Sequence, residues 1–265
     1  MSKVIGIDLG TTFSAIASLD DLGNPEVLSS LEDNRKITAS AIYIDGKNVI
    51  VGDRALSYIK NEPNKVVLQT KREMENDVVY SVNDGKWVGD KDLVDSYTPA
   101  QVSSLILKKL KDYTTDVKQV VITVPAMFAE KARQATLDAA KLADLEVIEL
   151  INEPTAAVLH YASLPGVEIG GRVMIFDLGG GTFDVTFAEV KNKKVDVLTS
   201  RGDKYLGGKD FDKEITKLIK KKYYEIHKVE IDIENNKEYI QKAEEIKKIL
   251  SVKSKVSTNI NGPKG

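Results

Sequence analysis

Two glycine-rich segments in this 265-residue chain share one order of residue types, and each places an aspartate just before its glycines. Residues 4–14 read Val-Ile-Gly-Ile-Asp-Leu-Gly-Thr-Thr-Phe-Ser, and residues 173–184 read Val-Met-Ile-Phe-Asp-Leu-Gly-Gly-Gly-Thr-Phe-Asp. Glycines let backbone N–H groups approach an anion closely, and a concave row of such groups binds phosphate. Because Asp8 and Asp177 would repel phosphate, they predict a hard cation between the two, Mg²⁺ held partly through water.

Two such turns that face each other would clamp a polyphosphate from both sides. The alternative interpretation of either segment alone is a tight hairpin turn that needs positive φ angles. The shared order Asp-Leu-Gly, followed by Thr-Phe, favours the phosphate-binding interpretation over this alternative.

Hydrophobic periodicity predicts which strands and helices flank these turns. Each turn is predicted between two strands, and the chain between the two segments alternates strand and helix. This order predicts a mixed α/β fold whose sheet is partly parallel. The predicted strands are 4–8, 15–18, 41–44, 48–51, 119–124, 146–150, 173–178, 185–190, 195–200 and 252–260; the predicted helices are 99–112, 130–143, one that begins at Pro154, 210–224 and 236–250.

Composition excludes several classes of function. The formal net charge of −2 gives no overall attraction to nucleic acid or to an anionic membrane, and the absence of cysteine excludes disulfides and thiolate chemistry. No Walker loop occurs, and His160 and His227 lie far apart without a serine or cysteine elbow, which argues against a triad or a zinc site. No signal-peptide pattern precedes the first strand, so we expect a soluble, cytoplasmic protein.

The second repeat lacks counterparts of the elements predicted between residues 119 and 162. The sequence therefore predicts a fragment, or a protein with a reduced second lobe. We expect lobe I at residues 1–166, with a shortened subdomain at about 38–102, and an incomplete lobe II at 167–265, with subdomains at about 167–206 and 207–265.

Four further motifs accompany the two turns. They are Lys71-Arg72, Thr-Val-Pro-Ala-Met-Phe at 123–128, Asn-Glu-Pro-Thr-Ala-Ala at 152–157 and Leu-Gly-Gly-Lys-Asp-Phe-Asp at 206–212. With these motifs, the chain resembles the nucleotide-binding domain of the seventy-kilodalton heat-shock chaperones, the DnaK type, within the actin and sugar-kinase superfamily. The resemblance implies an actin-like ATPase fold, related to ribonuclease H, with two lobes and duplicated β-hairpin phosphate loops.

The resemblance also implies roles for individual residues. The phosphate loops are Gly10, Thr11, Thr12 and Phe13, and Gly179, Gly180, Gly181 and Thr182; the residues around the metal are Asp8, Asp177 and Asp184. Lys71 would reach the terminal phosphate, while Glu153, Asp177 and Thr182 would position the attacking water. Without the resemblance, Lys71 is a solvated surface lysine and Glu153 a carboxylate in the first turn of a helix.

Recognition of the nucleoside is implied for a second set of residues: Gly207, Gly208, Glu244, Lys247, Lys248 and Ser251. Glu244, Lys247 and Ser251 share one helix face by their spacing, although a solvated charged helix fits the same pattern. Phe13 and Lys248 stand where many relatives carry tyrosine and arginine, so a phosphate or potassium contact and the stack on adenine should weaken. The second-lobe elements that would complete the adenine pocket are missing from the sequence, so we expect weak nucleotide affinity.

The activity that the resemblance implies is ATP hydrolysis with ATP/ADP and Mg²⁺ bound, and K⁺ as an additional ion. The implied partners are unfolded polypeptide clients, which a further domain would bind, a J-domain co-chaperone and a nucleotide exchange factor. Two alternatives use the same turns: an actin-like or rod-shape filament ATPase, and a small-molecule kinase of the same superfamily. The kinase alternative needs a substrate-side carboxylate base that the sequence does not identify.

Overall fold

The computed structural model describes residues 3–90, 92–115, 117–191, 194–233 and 236–260. Strands and helices alternate between residues 99 and 178, as the sequence predicts, and two short 3₁₀ turns lie at Pro63–Lys65 and Thr70–Glu73. The strands are β1 Lys3–Asp8, β2 Phe13–Leu19, β3 Pro25–Val27, β4 Thr38–Ala39, β5 Ala41–Asp45, β6 Asn48–Val51, β7 Val66–Leu68, β8 Val79–Ser81, β9 Lys86–Val88, β10 Ser96–Tyr97, β11 Val117–Val124, β12 Glu146–Asn152, β13 Gly171–Leu178, β14 Phe183–Lys191 and β15 Lys194–Asp203. The helices are α1 Asp53–Leu56, α2 Pro99–Lys111, α3 Glu130–Leu142, α4 Glu153–Ser163, α5 Gly208–His227 and α6 Lys237–Leu250.

The main sheet contains the first glycine segment. Its strand order is β12-β11-β1-β2-β3, with β4 paired to β2. The pairs β1–β11 and β11–β12 are parallel, whereas β1–β2 is antiparallel. The sheet is therefore partly parallel, as predicted, and the carboxyl ends of β1, β11 and β12 lie at one edge.

The core of this part packs α2 against the sheet. Ile5 and Ile7 of β1 are buried, as are Val102, Ile106 and Leu110 on one face of α2. Thr98 and Gln101 cap the start of α2 through reciprocal hydrogen bonds, which fix where the helix begins. These contacts hold β1 in place, so Asp8 leaves the sheet from a rigid strand.

The second glycine segment lies in a separate three-stranded meander, β13-β14-β15. Asp177 and Asp184 are register partners on β13 and β14. The opposite face of this sheet carries Met174, Phe176 and Phe187, all of which are exposed. That face has no covering layer within the described residues. Across the same described ranges, no helix combines the length and the apolar character needed to cross a membrane.

Two predictions about secondary structure are wrong. Residues 252–260 form no strand, because no neighbouring strand pairs with them, and their first N–H groups, on Val252 and Lys253, instead extend the end of α6 through Ile249 O. No strand is predicted between residues 52 and 118, yet this stretch contains the short strands β7, β8, β9 and β10.

Gly85, in the turn between β8 and β9, packs directly against the chain at Asn64. Its φ angle is +67°, and a Cβ built there would lie 2.4 Å from Asn64 Cα. Gly85→Ala should therefore lower the free energy of unfolding by about 1 kcal/mol for the left-handed backbone and by about 2 kcal/mol more for overpacking. Gly46→Ala is the matched control, because Gly46 has a φ angle of +57° but no atom near its Cβ position. Urea unfolding measures both, and equal losses would contradict the close packing.

Candidate functional site

The first turn, residues 9–12, connects β1 to β2 and is held by two serine hydroxyls. Gly10 N donates to Ser14 Oγ at 3.2 Å, and Ser40 Oγ donates to Gly10 O at 2.7 Å. Ser40 N also donates to Thr12 O at 2.9 Å. A Cβ on Gly10 would lie 2.0 Å from Phe13 O, so only glycine fits there. The turn is thus rigid before any ligand binds.

The second turn, residues 179–182, connects β13 to β14, and each of its three glycine carbonyls accepts a hydrogen bond from outside the turn. The first two are held by the start of α5: Gly208 N donates to Gly179 O at 3.0 Å, and Lys209 N donates to Gly180 O at 2.9 Å. The third is held from far along the chain, since Arg72 Nε and Nη2 donate to Gly181 O at 2.9 and 2.7 Å.

The two turns lie against each other, as the sequence predicts. A Cβ on Gly180 would lie 2.0 Å from Thr12 Oγ1, and one on Gly181 would lie 2.5 Å from Thr11 Cγ2. Gly207 packs on the same place, because its Cβ position lies 2.5 Å from Gly181 N. The absence of side chains at these glycines therefore allows the two halves to meet at the turns.

Four carboxylates and one lysine lie beside the turns. Lys71, whose side chain is only 7% exposed, forms an ion pair with Glu153 at the start of α4. Burial raises the pKa of Glu153, and the charges of Asp8 and Asp177 raise it further, while Lys71 acts in the opposite direction. Burial likewise raises the pKa of Asp177 and of Asp184, with Asp177 adding to the shift at Asp184. The site carries more negative charge than one lysine neutralises.

The donor set fits a hard cation bound together with phosphate. Within the described ranges, no group of three or more His, Cys, Asp or Glu is arranged to hold a metal ion by itself. Mg²⁺ needs no such group, because it usually keeps several waters and binds one or two carboxylates plus phosphate oxygens. Asp184 Oδ1 and Thr12 Oγ1 are buried without a hydrogen-bond partner in the structure, and such atoms are costly unless a ligand or water satisfies them.

Helix α6 brings part of the predicted nucleoside set to the second turn. Lys247 Nζ donates to Gly208 O at 2.8 Å and pairs with Asp212, and Glu244 accepts from Lys209 at 2.8 Å. The other two residues of α6 in the predicted set, Lys248 and Ser251, make no contact with the second turn. Ser251 Oγ donates to Lys247 O of its own helix, and the Lys248 side chain is 64% exposed and paired with Glu244.

A cavity of about 220 Å³ lies between α6, the first turn and the apolar wall of the β5 region. Its lining includes Thr11, Thr12 and Phe13, Glu244 and Lys248, and the apolar side chains Leu56, Ile59 and Leu68. Polar groups on one side and apolar groups on the other suit a nucleoside. Ser251 and Lys247 do not line it, so the structure places only part of the predicted set around this space.

Lys237, the first residue of α6, also lines this cavity. Its Nζ donates to the carbonyl oxygens of Pro63, Val66 and Gly85 at 2.6, 2.7 and 3.2 Å and to Tyr80 Oη at 3.2 Å. All four acceptors are uncharged oxygens, and burial lowers the pKa of Lys237 to about 8. Helix α6 is thus tied to the β7–β9 region by a buried amine.

The pKa of Lys237 gives a pH dependence of stability. An unfolded lysine titrates near 10.4, so between pH 8 and 10 the unfolded chain binds a proton that the folded chain lacks. Stability in this window should therefore rise with pH, by up to about 1.4 kcal/mol per pH unit from this group. Burial raises the pKa of the facing Tyr80, which keeps its hydroxyl neutral across the window.

Urea unfolding at pH 7.5, 8.5 and 9.5 measures this effect as the difference between the wild type and Lys237→Met. The control is Lys248→Met, which removes an exposed lysine from the same helix. A wild-type pH slope equal to that of Lys237→Met would show that Lys237 titrates normally.

Two contacts of Arg72 at the second turn are not predicted from the sequence. Arg72 was recognised only as part of a motif, yet it reaches both Gly181 O and Asp210; Nη1 lies 3.1 Å from Asp210 Oδ1. Burial raises the pKa of Asp210, but the hydrogen bond and charge of Arg72 outweigh it and the pKa falls below its usual value. The sequence signal that could have predicted a role for Asp210 is its place three residues after Gly207, at the start of a helix.

Comparison with known proteins agrees with this geometry. A family model described as Hsp70 protein matches residues 4–263, nearly the whole chain. The matched region contains both glycine turns, Lys71 and the start of α4. The match supports a chaperone ATPase domain and an actin-like ATPase fold. The chain therefore belongs to the Hsp70 family.

Proposed function

We propose that this chain binds ATP with Mg²⁺ and hydrolyses it to ADP and phosphate, as the ATPase part of a chaperone. The observation that carries the proposal is the meeting of the two glycine turns beside four carboxylates and a buried lysine. Phosphoryl transfer depends mainly on positioning and on neutralising charge on the γ-phosphate oxygens. Rigid turns, acids and one lysine are the parts that this chemistry uses.

In this proposal, Lys71 neutralises charge that grows on the terminal phosphate, and the N–H groups of the two turns hold the phosphate oxygens. Asp8, Asp177 and Asp184 would hold Mg²⁺ through water. The chemistry that this ion supplies when bound is charge neutralisation on the phosphates. Glu153, Asp177 and Thr182 orient the attacking water, and the raised pKa of Glu153 suits it to accept a proton from that water.

Helix α6 and the cavity beneath it supply the nucleoside side of the site. Glu244 and Lys247 lie beside Gly207 and Gly208, and Lys248 lines the cavity. We also propose the division into lobes at residues 1–166 and 167–265. Two observations support treating α5 as part of the second lobe. The start of α5 donates hydrogen bonds to the second turn, and Arg72 binds both that turn and Asp210 of α5. Coupling to clients, a J-domain co-chaperone and an exchange factor belongs to the proposal on the strength of the family alone.

The test is single-turnover hydrolysis with the protein in excess over labelled ATP, which compensates for weak affinity. We expect ADP and free phosphate, formed only with Mg²⁺ present. Parallel samples are sedimented with and without ATP and incubated with sugars and acetate. Nucleotide-driven sedimentation would favour the filament alternative, and labelled sugar or acetyl phosphate the kinase alternative. Absence of hydrolysis at saturating protein would contradict the proposal.

A further inference from the structure

Among the described residues, Arg72 is the one residue from the first half of the chain that donates hydrogen bonds to the second turn. Its side chain is 6% exposed, and it uses Nε and Nη2 on Gly181 O and both terminal nitrogens on Asp210. Asp210 in turn accepts from Gly207 N at 2.8 Å. A planar guanidinium with five donors can hold a carbonyl and a carboxylate at once, which an ammonium cannot do.

The direction of the Gly181 carbonyl determines the direction of the next amide. In a planar trans peptide, the C=O of one residue and the N–H of the following residue point in opposite directions. Because Arg72 holds Gly181 O, the N–H of Thr182 points away from Arg72. The carbonyls of Gly179 and Gly180, held by α5, orient the N–H groups of Gly180 and Gly181 in the same way.

Arg72 also neighbours Lys71 in one 3₁₀ turn, Thr70–Glu73. The turn that carries the buried lysine is therefore fastened to the second glycine turn through adjacent residues. We propose that Arg72 and Asp210 form a positioning pair that sets the Thr182 amide of the second turn and its placement relative to Lys71 for phosphoryl transfer. This inference rests on the proposed function for its catalytic consequence, but the orientation of the turn is testable without hydrolysis.

The first test is amide hydrogen exchange of the second turn, compared among wild type, Arg72→Lys, Arg72→Ala and Asp210→Asn. We expect exchange at Gly179, whose N–H donates to Thr182 O within the turn, to speed up by roughly tenfold or more in all three variants, with exchange at Gly10, whose N–H donates to Ser14 Oγ, unchanged. Glu75→Gln is the matched control, because Glu75 bonds Lys204 across the same two parts of the chain without contacting the turn. Unchanged exchange in Arg72→Lys and Asp210→Asn would overturn the proposal.

The second test is single-turnover hydrolysis at saturating protein, alongside ATP affinity. Arg72→Lys keeps the charge, so retention of the wild-type rate would mean that charge alone matters and would refute positioning. We expect it to lose about tenfold in rate, with ATP affinity changed by less, as for a donor that acts through another group.

The two levels of failure are distinguishable. If the wild type does not hydrolyse ATP, the proposed function fails, while the exchange result still decides whether Arg72 orients the turn. If Lys71→Ala loses activity and Arg72→Lys does not, the proposed function stands and the positioning pair is wrong. Should Arg72→Ala fail to fold, Arg72→Lys and Asp210→Asn carry both tests.

Discussion

Replacing Lys71 by alanine is expected to slow single-turnover ATP hydrolysis by on the order of 10²-fold or more, with a much smaller effect on ATP binding. One preorganised group that meets developing charge in a water-poor site contributes an effect of this size. Lys71 is buried and paired with Glu153, so it lies in such an environment. Quenched-flow hydrolysis and calorimetric titration of ATP measure the two quantities separately.

The variant also leaves Glu153 without its partner, and an unpaired buried charge destabilises a fold. Lys71→Met combined with Glu153→Gln removes both charges, and its unfolding in urea shows how much of the stability lost in Lys71→Ala comes from the unpaired Glu153. Lys65→Met is the control in the same segment, since the ion pairs of Lys65 with Asp45 and Glu62 are partly exposed. Near wild-type hydrolysis in Lys71→Ala would make Lys71 a structural partner of Glu153 and not a catalytic residue.

Asp177→Asn is expected to keep the fold while hydrolysis falls steeply and requires more Mg²⁺. The amide has the same shape, and the glycines of the second turn are untouched. Because burial and the charge of Asp8 raise the pKa of Asp177, the carboxylate is disfavoured in the folded chain without metal. The variant should thus melt at the same temperature as the wild type or higher.

Circular-dichroism melts and single-turnover hydrolysis across a Mg²⁺ titration test this prediction together. Asp196→Asn, an exposed aspartate on β15 of the same sheet, is the control. If Asp177→Asn melts much earlier and its folded fraction keeps an unaltered Mg²⁺ requirement, Asp177 is a structural turn residue and the two-turn clamp is wrong.

The sequence predicted the long elements well because their periodicity is strong. Strands β1, β11, β13 and β14 and helices α2 and α3 lie within a few residues of their predicted ranges. The three-residue strands between residues 66 and 88 carry no pattern of useful length. Strand β7 forms by pairing with the distant β5, and β8 and β9 form by pairing with each other. Residues 252–260 alternate like a strand, but a strand needs a partner.

For the site, repeated residue types predicted that the two turns would face each other, and the structure places them in contact. The roles of the individual residues stay predictions. The sequence does not predict contacts between residues that are far apart and belong to no repeat. Two such contacts are that of Arg72 with Asp210 and that of Lys237 with the carbonyl oxygens of Pro63 and Val66. These polar contacts form only because the two halves fold against each other.

The cavity beneath α6 has a kinetic consequence. Its volume of about 220 Å³ is below the range of about 300–1,000 Å³ in which small molecules usually bind. Under the proposed function, a nucleoside that needs more room than this enters only after Lys237 leaves its four oxygens and α6 moves outward. The apparent dissociation constant then equals the intrinsic one divided by the open fraction. At high nucleotide concentration, the observed association rate levels off at the opening rate of the protein itself.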